Sequence, residues 1–296
     1  MMSYVTYISR DEYVPIGSCL ARQLQAVQSC APLSVLFDDR SLSHDGSAEL
    51  RRNFHTDALF DLTSLFAKLD NGSSAFYGKR SKTKSSKVTS APLGRRLYAT
   101  DQYFAPWLKL WLWALPFKSI VFLDADVLVL RNIDEVLTVS PAAPHDMAAV
   151  PVQCPLPTGT RLTAFNTGVM WLRPSLKRLK EIQRFAHQAY EEMSTGRKLN
   201  KACERRIGDQ TLLFWFCKGH VHRLPAALPA HLNVDASQWA QWTSMLRRNR
   251  TAASVIHYLG EPKPWSLPPS TVQLPPHLNG PHFALWHARA CPRIQP

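Results

Sequence analysis

An α/β fold, with a mostly parallel central sheet flanked by helices, is what this chain of 296 residues predicts. Strand-like and helix-like segments alternate along most of its length, the order expected of strands joined by helical crossovers. The run Ile120-Val-Phe-Leu123 is apolar at every position. A strand that buries both faces reads this way, as in a sheet covered by helices on both sides. Two aspartates, Asp124 and Asp126, follow that run directly. In such sheets ligands bind beyond the carboxyl ends of the strands.

In order, residues 4–8 read as a first strand, 16–27 as a helix, and 34–37 as a second strand ending in Asp38-Asp39. A Trp- and Leu-rich helix is expected over 105–115, then the apolar strand 120–123, with further strands at 148–152 and 168–172. A charged amphipathic helix fits 176–193, a shorter apolar helix 209–216, and a last strand 254–259. The stretch 266–296 is proline-rich and reads as a tail packed on the domain, anchored around Phe283 to Trp286.

Hydrophobic residues make up 45% of the chain, enough for a packed core, which excludes a wholly disordered or fibrous protein. No apolar run reaches the length of a membrane span, so no membrane partner is expected. The N-terminus enters a strand pattern without a basic and then apolar leader, and the expected location is cytoplasmic. The six cysteines show no CxxC spacing and read as reduced, mostly buried thiols, with a zinc site or a disulfide framework as the alternative. Asn71 and Asn249 begin glycosylation-type triplets, which read as chance matches in that compartment.

The formal charge is +13, and residues 71–100 supply seven basic side chains with no acidic one. That segment, rich in Ser and Thr, reads as a mobile surface insertion. No helix-turn-helix, zinc-finger or aromatic RNA-binding pattern accompanies it, so nucleic acid is not expected as a partner.

In extended backbone, residues two apart project alike, so Asp124 and Asp126 should converge at the end of their strand. Two adjacent carboxylates repel, and a divalent cation relieves that repulsion. A turn or a helix cap is the alternative reading of the pair.

Four blocks in order, FLDADVLVLRNIDEVL (122–137), FNTGVMWLRPS (165–175), GDQTLLFWF (208–216) and HYLGEPKPW (257–265), resemble glycosyltransferase family 8 in its glycogenin-like branch. The resemblance runs from about Val5 to Trp265 and is weakest across the basic insertion. It implies a single GT-A-type, Rossmann-like domain over residues 1–265. It also implies a divalent metal, Mn2+ by preference, held by Asp124, Asp126 and His257. Of the donor, a UDP-sugar, Lys263 and Gly260 would meet the diphosphate. Thr6 and Tyr13 would meet the uridine, and Ala125, Asn166 and Gly168 would border the nucleotide and sugar. Arg10 stands where the family usually has asparagine. Asp209 and Gln210 match the pair near the anomeric carbon, and Lys109 matches a family lysine on the Trp-rich segment.

The reaction so implied is retaining transfer of a hexose, glucose or galactose, to an acceptor hydroxyl. No tyrosine lies between Tyr190 and Tyr258, where glycogenin carries its self-glucosylated residue; Trp239 and Trp242 occupy that window instead. A separate acceptor, a glycan or glycoprotein, is therefore expected, as for cytoplasmic glycan-extending transferases of some protists. A glycogenin-type primer synthase and a silent UDP-sugar-binding scaffold are the alternatives. A homodimer is compatible with the resemblance.

Overall fold

The structure, a computed structural model, describes residues 1–69, 108–139, 146–155, 161–194, 209–219, 226–236, 252–260, 263–266, 285, 286 and 288. The basic segment 71–100, both glycosylation-type asparagines, Trp239 and Trp242 lie outside the described residues.

Strand β1 (Met2–Ile8) is buried from Ser3 onward. A short 3-10 turn (Asp11–Tyr13) leads into helix α1 (Val14–Ala26), with Pro15 in its first turn, where a missing N–H leaves no hydrogen bond unmade. Strand β2 (Leu33–Phe37) runs parallel to β1, with Tyr4 opposite Leu33 and Ile8 opposite Phe37. Helix α2 (His44–Asn53) begins where the Ser43 hydroxyl accepts the Gly46 N–H, and strand β3 (Leu59–Asp61) and helix α3 (Leu62–Leu69) follow. Strands β4 (Ser119–Leu123), β5 (Val127–Val129), β6 (Met147–Pro155) and β7 (Arg161–Leu172) precede helices α4 (Leu176–Ser194) and α5 (Asp209–Gly219). Three short strands complete the described elements: β8 (Ala226–Ala227), β9 (Val234–Asp235) and β10 (Val255–His257).

The main sheet has seven strands in the order β3-β2-β1-β4-β7-β6-β8. Only β7 runs antiparallel to its neighbours, so the sheet is mostly parallel, as the sequence predicts. Alternating side chains feed two cores. Val5, Tyr7, Ile120 and Phe122 pack with Trp113, Leu179 and Leu212 on one face. Tyr4, Ile8, Val121 and Leu123 pack with Leu20 and Leu24 of α1 on the other. A second sheet, β5-β10-β9, covers a third cluster containing Ala125, Leu128, Ile256, Tyr258 and Trp286. Trp286 is buried there against the rings of Tyr258 and Trp265.

Two expectations are corrected. The described part of the Trp-rich segment, Lys109–Ala114, is a 3-10 helix. Every residue from Lys109 to Trp113 is buried, so the segment has no solvent face of the kind that shapes an amphipathic α-helix. The Trp113 carbonyl accepts from Ser175 N–H rather than from a continuing helix. Nor are all cysteines reduced: Cys19 is disulfide-bonded, while Cys30, exposed, and Cys217, buried, stand outside any disulfide. A disulfide requires two side chains to meet in space, and scattered cysteine spacing carries no trace of that meeting.

One acidic side chain, Asp134, ties the segment after β5 to β1 and to the loop after α1. Helix α1 ends with Gln28 at φ 56°, which turns the chain so that Ser29 N–H reaches the Leu24 carbonyl. The Asp134 carboxylate then accepts from the Tyr4 and Ser29 hydroxyls at 2.8 and 2.7 Å, from Cys30 N–H at 2.7 Å and from Asn132 Nδ2 at 3.1 Å. Partial burial raises its proton affinity, but these donors outweigh it and hold the group down at about 2. A depressed native pKa contributes stability that is full above the unfolded value of about 4 and is lost as pH falls through about 2. Replacing Asp134→Asn is therefore expected to cost about 1–3 kcal/mol at neutral pH. In thermal melts the gap to wild type should narrow steadily between about pH 4 and pH 2. A gap independent of pH would contradict this role.

Candidate active site

Strand β4 ends at Leu123, and the chain then leaves the main sheet. Asp124 N–H donates to the Gly168 carbonyl at 2.8 Å. Ala125 and Asp126 form a turn, and β5 joins the second sheet. The two carboxylates do converge, but through this turn rather than through the extended alternation the sequence suggested. Ala125 is buried beneath it and pins it to the third cluster. The Asp126 carbonyl accepts Tyr258 N–H at 3.0 Å, and in the β5–β10 ladder His257 lies opposite Val127. Strand register therefore brings His257 to a carboxylate 131 residues away in sequence.

His257 Nε2 lies 3.2 Å from Asp126 Oδ1 and 3.6 Å from Asp124 Oδ2. One ligand atom from each of Asp124, Asp126 and His257 falls within 4.8 Å of the others. Two carboxylates with one imidazole suit a divalent transition metal such as manganese. Two buried lysines flank this cluster. Lys263 Nζ donates to Asp126 Oδ2 and to the Tyr258 carbonyl, both at 2.7 Å. Lys109 Nζ lies 2.7 Å from Asp124 Oδ1 and 3.1 Å from Asp209 Oδ2.

Burial pushes the Asp124 carboxyl up, and the Asp126 and Asp209 charges add to it against the pull of Lys109 and His257. Burial acts on Asp126 in the same sense, yet His257 and Lys263 together hold it well below the usual carboxylate range. For Lys109 burial disfavours the charge, but Asp124 and Asp209 outweigh it and the ammonium is held firmly protonated.

Asp209 opens helix α5 and is buried, with Gln210 half-buried beside it. Asn166 and Gly168 sit on β7 facing His257, whose ring lies so close that a Cβ on Gly168 would fall 2.1 Å from Cε1. Gly260, at φ +77°, takes a backbone conformation that side chains disfavour. A Cβ there would meet open space, so the constraint is conformational. Thr6 is fully buried in β1, its hydroxyl without a partner among the described residues. Tyr13 stands at the carboxyl end of β1, edge-on to Trp265, with Arg10 stacked over it.

Two site residues escaped the sequence reading. The Thr167 hydroxyl donates to Asp209 Oδ2 at 2.7 Å, inside the β7 block but between the positions singled out there. Asn233, immediately before β9, bonds both His257 and Asn166. It belongs to none of the four blocks, and nothing in its neighbours marks it.

Removing Lys109 would leave two buried carboxylates without their shared counter-charge. Lys109→Met is expected to cost about 3–5 kcal/mol in chemical denaturation. Adding Asp209→Asn should recover part of that loss, and strictly additive losses would refute the coupling. Gly168→Ala is expected to cost about 1–3 kcal/mol through the clash with His257, and to weaken manganese binding measured by titration.

Comparison with known proteins gives the family and supports the fold. The family model "Glycosyl transferase family 8" matches residues 5–267. Glycogenin-1 of Caenorhabditis elegans is 30% identical over 165 residues, which is 53% of this chain and 32% of that protein. A putative UDP-glucuronate:xylan alpha-glucuronosyltransferase 3 of Arabidopsis thaliana is 27% identical over 167 residues, covering 52% and 21%. The matches thus span a third or less of each of these relatives. Among solved structures, the galactosyltransferase LgtC superposes with a TM-score of 0.54 at 16% identity, covering 90% of this chain and 89% of that one. GlyE of Streptococcus pneumoniae TIGR4 gives a TM-score of 0.54 at 12% identity, covering 98% and 60%. The family model spans most of the sequence, and the chain belongs to glycosyltransferase family 8, whose members are retaining enzymes with nucleotide-sugar donors.

Proposed function

We propose that the protein is a metal-dependent hexosyltransferase. It moves glucose or galactose from a UDP-sugar to a hydroxyl of a separate glycan or glycoprotein acceptor, with retention at the anomeric carbon. The observation that carries this reading is the connected cluster at the strand ends. Lys109 joins Asp124, on the candidate metal side, to Asp209, on the side matched to the transferred sugar. One continuous charged surface can then meet both halves of the bond to be broken.

Asp124, Asp126 and His257 would hold the divalent cation, which supplies counter-charge to the departing diphosphate. Lys263 adds a second positive charge on the same side, kept in place by the Tyr258 carbonyl. Gly260 turns the loop between His257 and Lys263 without a side chain toward the phosphates. Asp209, held by the Thr167 hydroxyl and by Lys109, offers a fixed negative charge to the anomeric carbon as positive charge develops there. In the overall transfer the bond from C1 to the diphosphate oxygen breaks and a bond from C1 to the acceptor oxygen forms. The acceptor hydroxyl proton leaves with the products. The separate-acceptor reading rests on the missing tyrosine before His257.

UDP release from a panel of UDP-sugars, with and without manganese, tests the proposal. We expect manganese-dependent turnover of UDP-glucose or UDP-galactose. Asp126→Asn should lower it by about 10²–10³-fold, the scale of losing a preorganised electrostatic contact. Metal-dependent UDP binding without turnover, even with glycan acceptors supplied, would favour the silent scaffold. Absence of both would refute the reading.

A further inference from the structure

Behind the acidic turn runs a chain of hydrogen bonds whose polarity is set at one end by a group that cannot rotate. Gly168 N–H donates to Asn166 Oδ1 at 2.7 Å. Asn166 Oδ1 is thereby an acceptor, and Asn233 must turn its Nδ2 toward it, at 2.7 Å. That orientation leaves Asn233 Oδ1 facing His257 Nδ1 at 3.1 Å, so this ring nitrogen must carry a proton. The other ring nitrogen, Nε2, faces Asp126 and Asp124 and is the atom left to ligate a cation held between them.

We propose that Asn233 is a positioning residue for the candidate metal site. It transmits the direction of a backbone N–H on β7 into the tautomer of His257, locking the ring with Nε2, the ligating nitrogen, toward the two aspartates. The inference deepens the proposed metal-dependent function and rests on the reading that Asp124, Asp126 and His257 hold a divalent cation.

Three features of the packing support the assignment. Asn233 and His257 are both buried, so water is a poor substitute for either bond. Asn233 immediately precedes β9, which runs beside β10, with Val234 paired to Ile256 and Asp235 to His257. A Cβ on Gly168 would strike His257 Nδ1 at 2.4 Å and Asn166 Oδ1 at 2.9 Å, so glycine is what allows ring and amide to approach the same point. Outer hydrogen bonds of this kind fix the orientation of a ligating histidine and its tautomer, and their loss weakens metal affinity by about 10–100-fold.

The test begins without metal. Long-range proton–nitrogen correlation on protein labelled at histidine nitrogen, recorded at alkaline pH with His257→Gln to assign the ring, reports which nitrogen is protonated. We expect protonated Nδ1 in wild type and in Asn233→Asp, which keeps an acceptor for it, and a mixture of tautomers in Asn233→Leu. Manganese titration followed by electron paramagnetic resonance, with UDP present, should give about 10–100-fold weaker binding for Asn233→Leu. A wild-type ring protonated at Nε2 alone overturns the proposal. So does an Asn233→Asp variant with mixed tautomers. Manganese binding that is normal in wild type and equal in Asn233→Leu refutes the role of Asn233 while leaving the metal reading intact. The expected wild-type tautomer with no manganese binding instead refutes the metal reading, and the proposal with it.

Discussion

Lys109 is the interaction around which the site is organised. Its ammonium is buried and lies within 3.1 Å of Asp209 and 2.7 Å of Asp124. Without it, α5 would direct a carboxylate at the acidic turn with nothing between them. With it, the helix and the turn sit against one another through opposite charges. Lys263 repeats the arrangement on the far side of the turn, at Asp126. Three carboxylates against two ammonium groups leave one negative charge in excess, and His257 faces that excess through Nε2. The cluster thus keeps one negative charge beyond what its lysines neutralise, at the point where a divalent cation is proposed to bind.

That cluster exists because the chain changes sheets at one point. Strand β4 is central in the main sheet, and three residues later β5 belongs to the second one. The turn between them is fastened on both sides, by Gly168 through Asp124 N–H and by Tyr258 through the Asp126 carbonyl. His257 of β10 meets this turn directly, the middle of β7 meets it through the Gly168 carbonyl, and Asp209 of α5 meets it through Lys109. The rigid scaffold behind the junction, with Asp134 clamping the loop after α1, is what keeps those elements in register.

How much of this was legible varies with the range of the interactions involved. Strands β1, β2 and β4, helix α1 and helix α4 follow from local hydrophobic pattern, which a short window of sequence contains. Short strands such as β5, β8 and β9 hold two or three residues each. No periodicity can develop over that length, and only partners elsewhere in the chain make them strands. The Trp-rich segment misled because apolar residues on every side look like a buried helix, whereas surrounding contacts wound it as 3-10.

By itself the sequence determined which residue types stand where: an acidic pair after a buried strand, a histidine before a glycine and a lysine, an Asp-Gln pair opening an apolar helix. Those local arrangements carry the family and the candidate ligands, because each requires only a few neighbouring residues. The tertiary structure alone decided which groups meet. That Asp124 and Asp126 converge through a turn, that Lys109 links Asp124 to Asp209, that Thr167 holds Asp209 and that Asn233 faces His257 are consequences of strand order and register. Contacts within the site bridge up to 137 residues of chain. Their energies depend on burial and on distances of a few ångströms, quantities that exist only once the chain has folded.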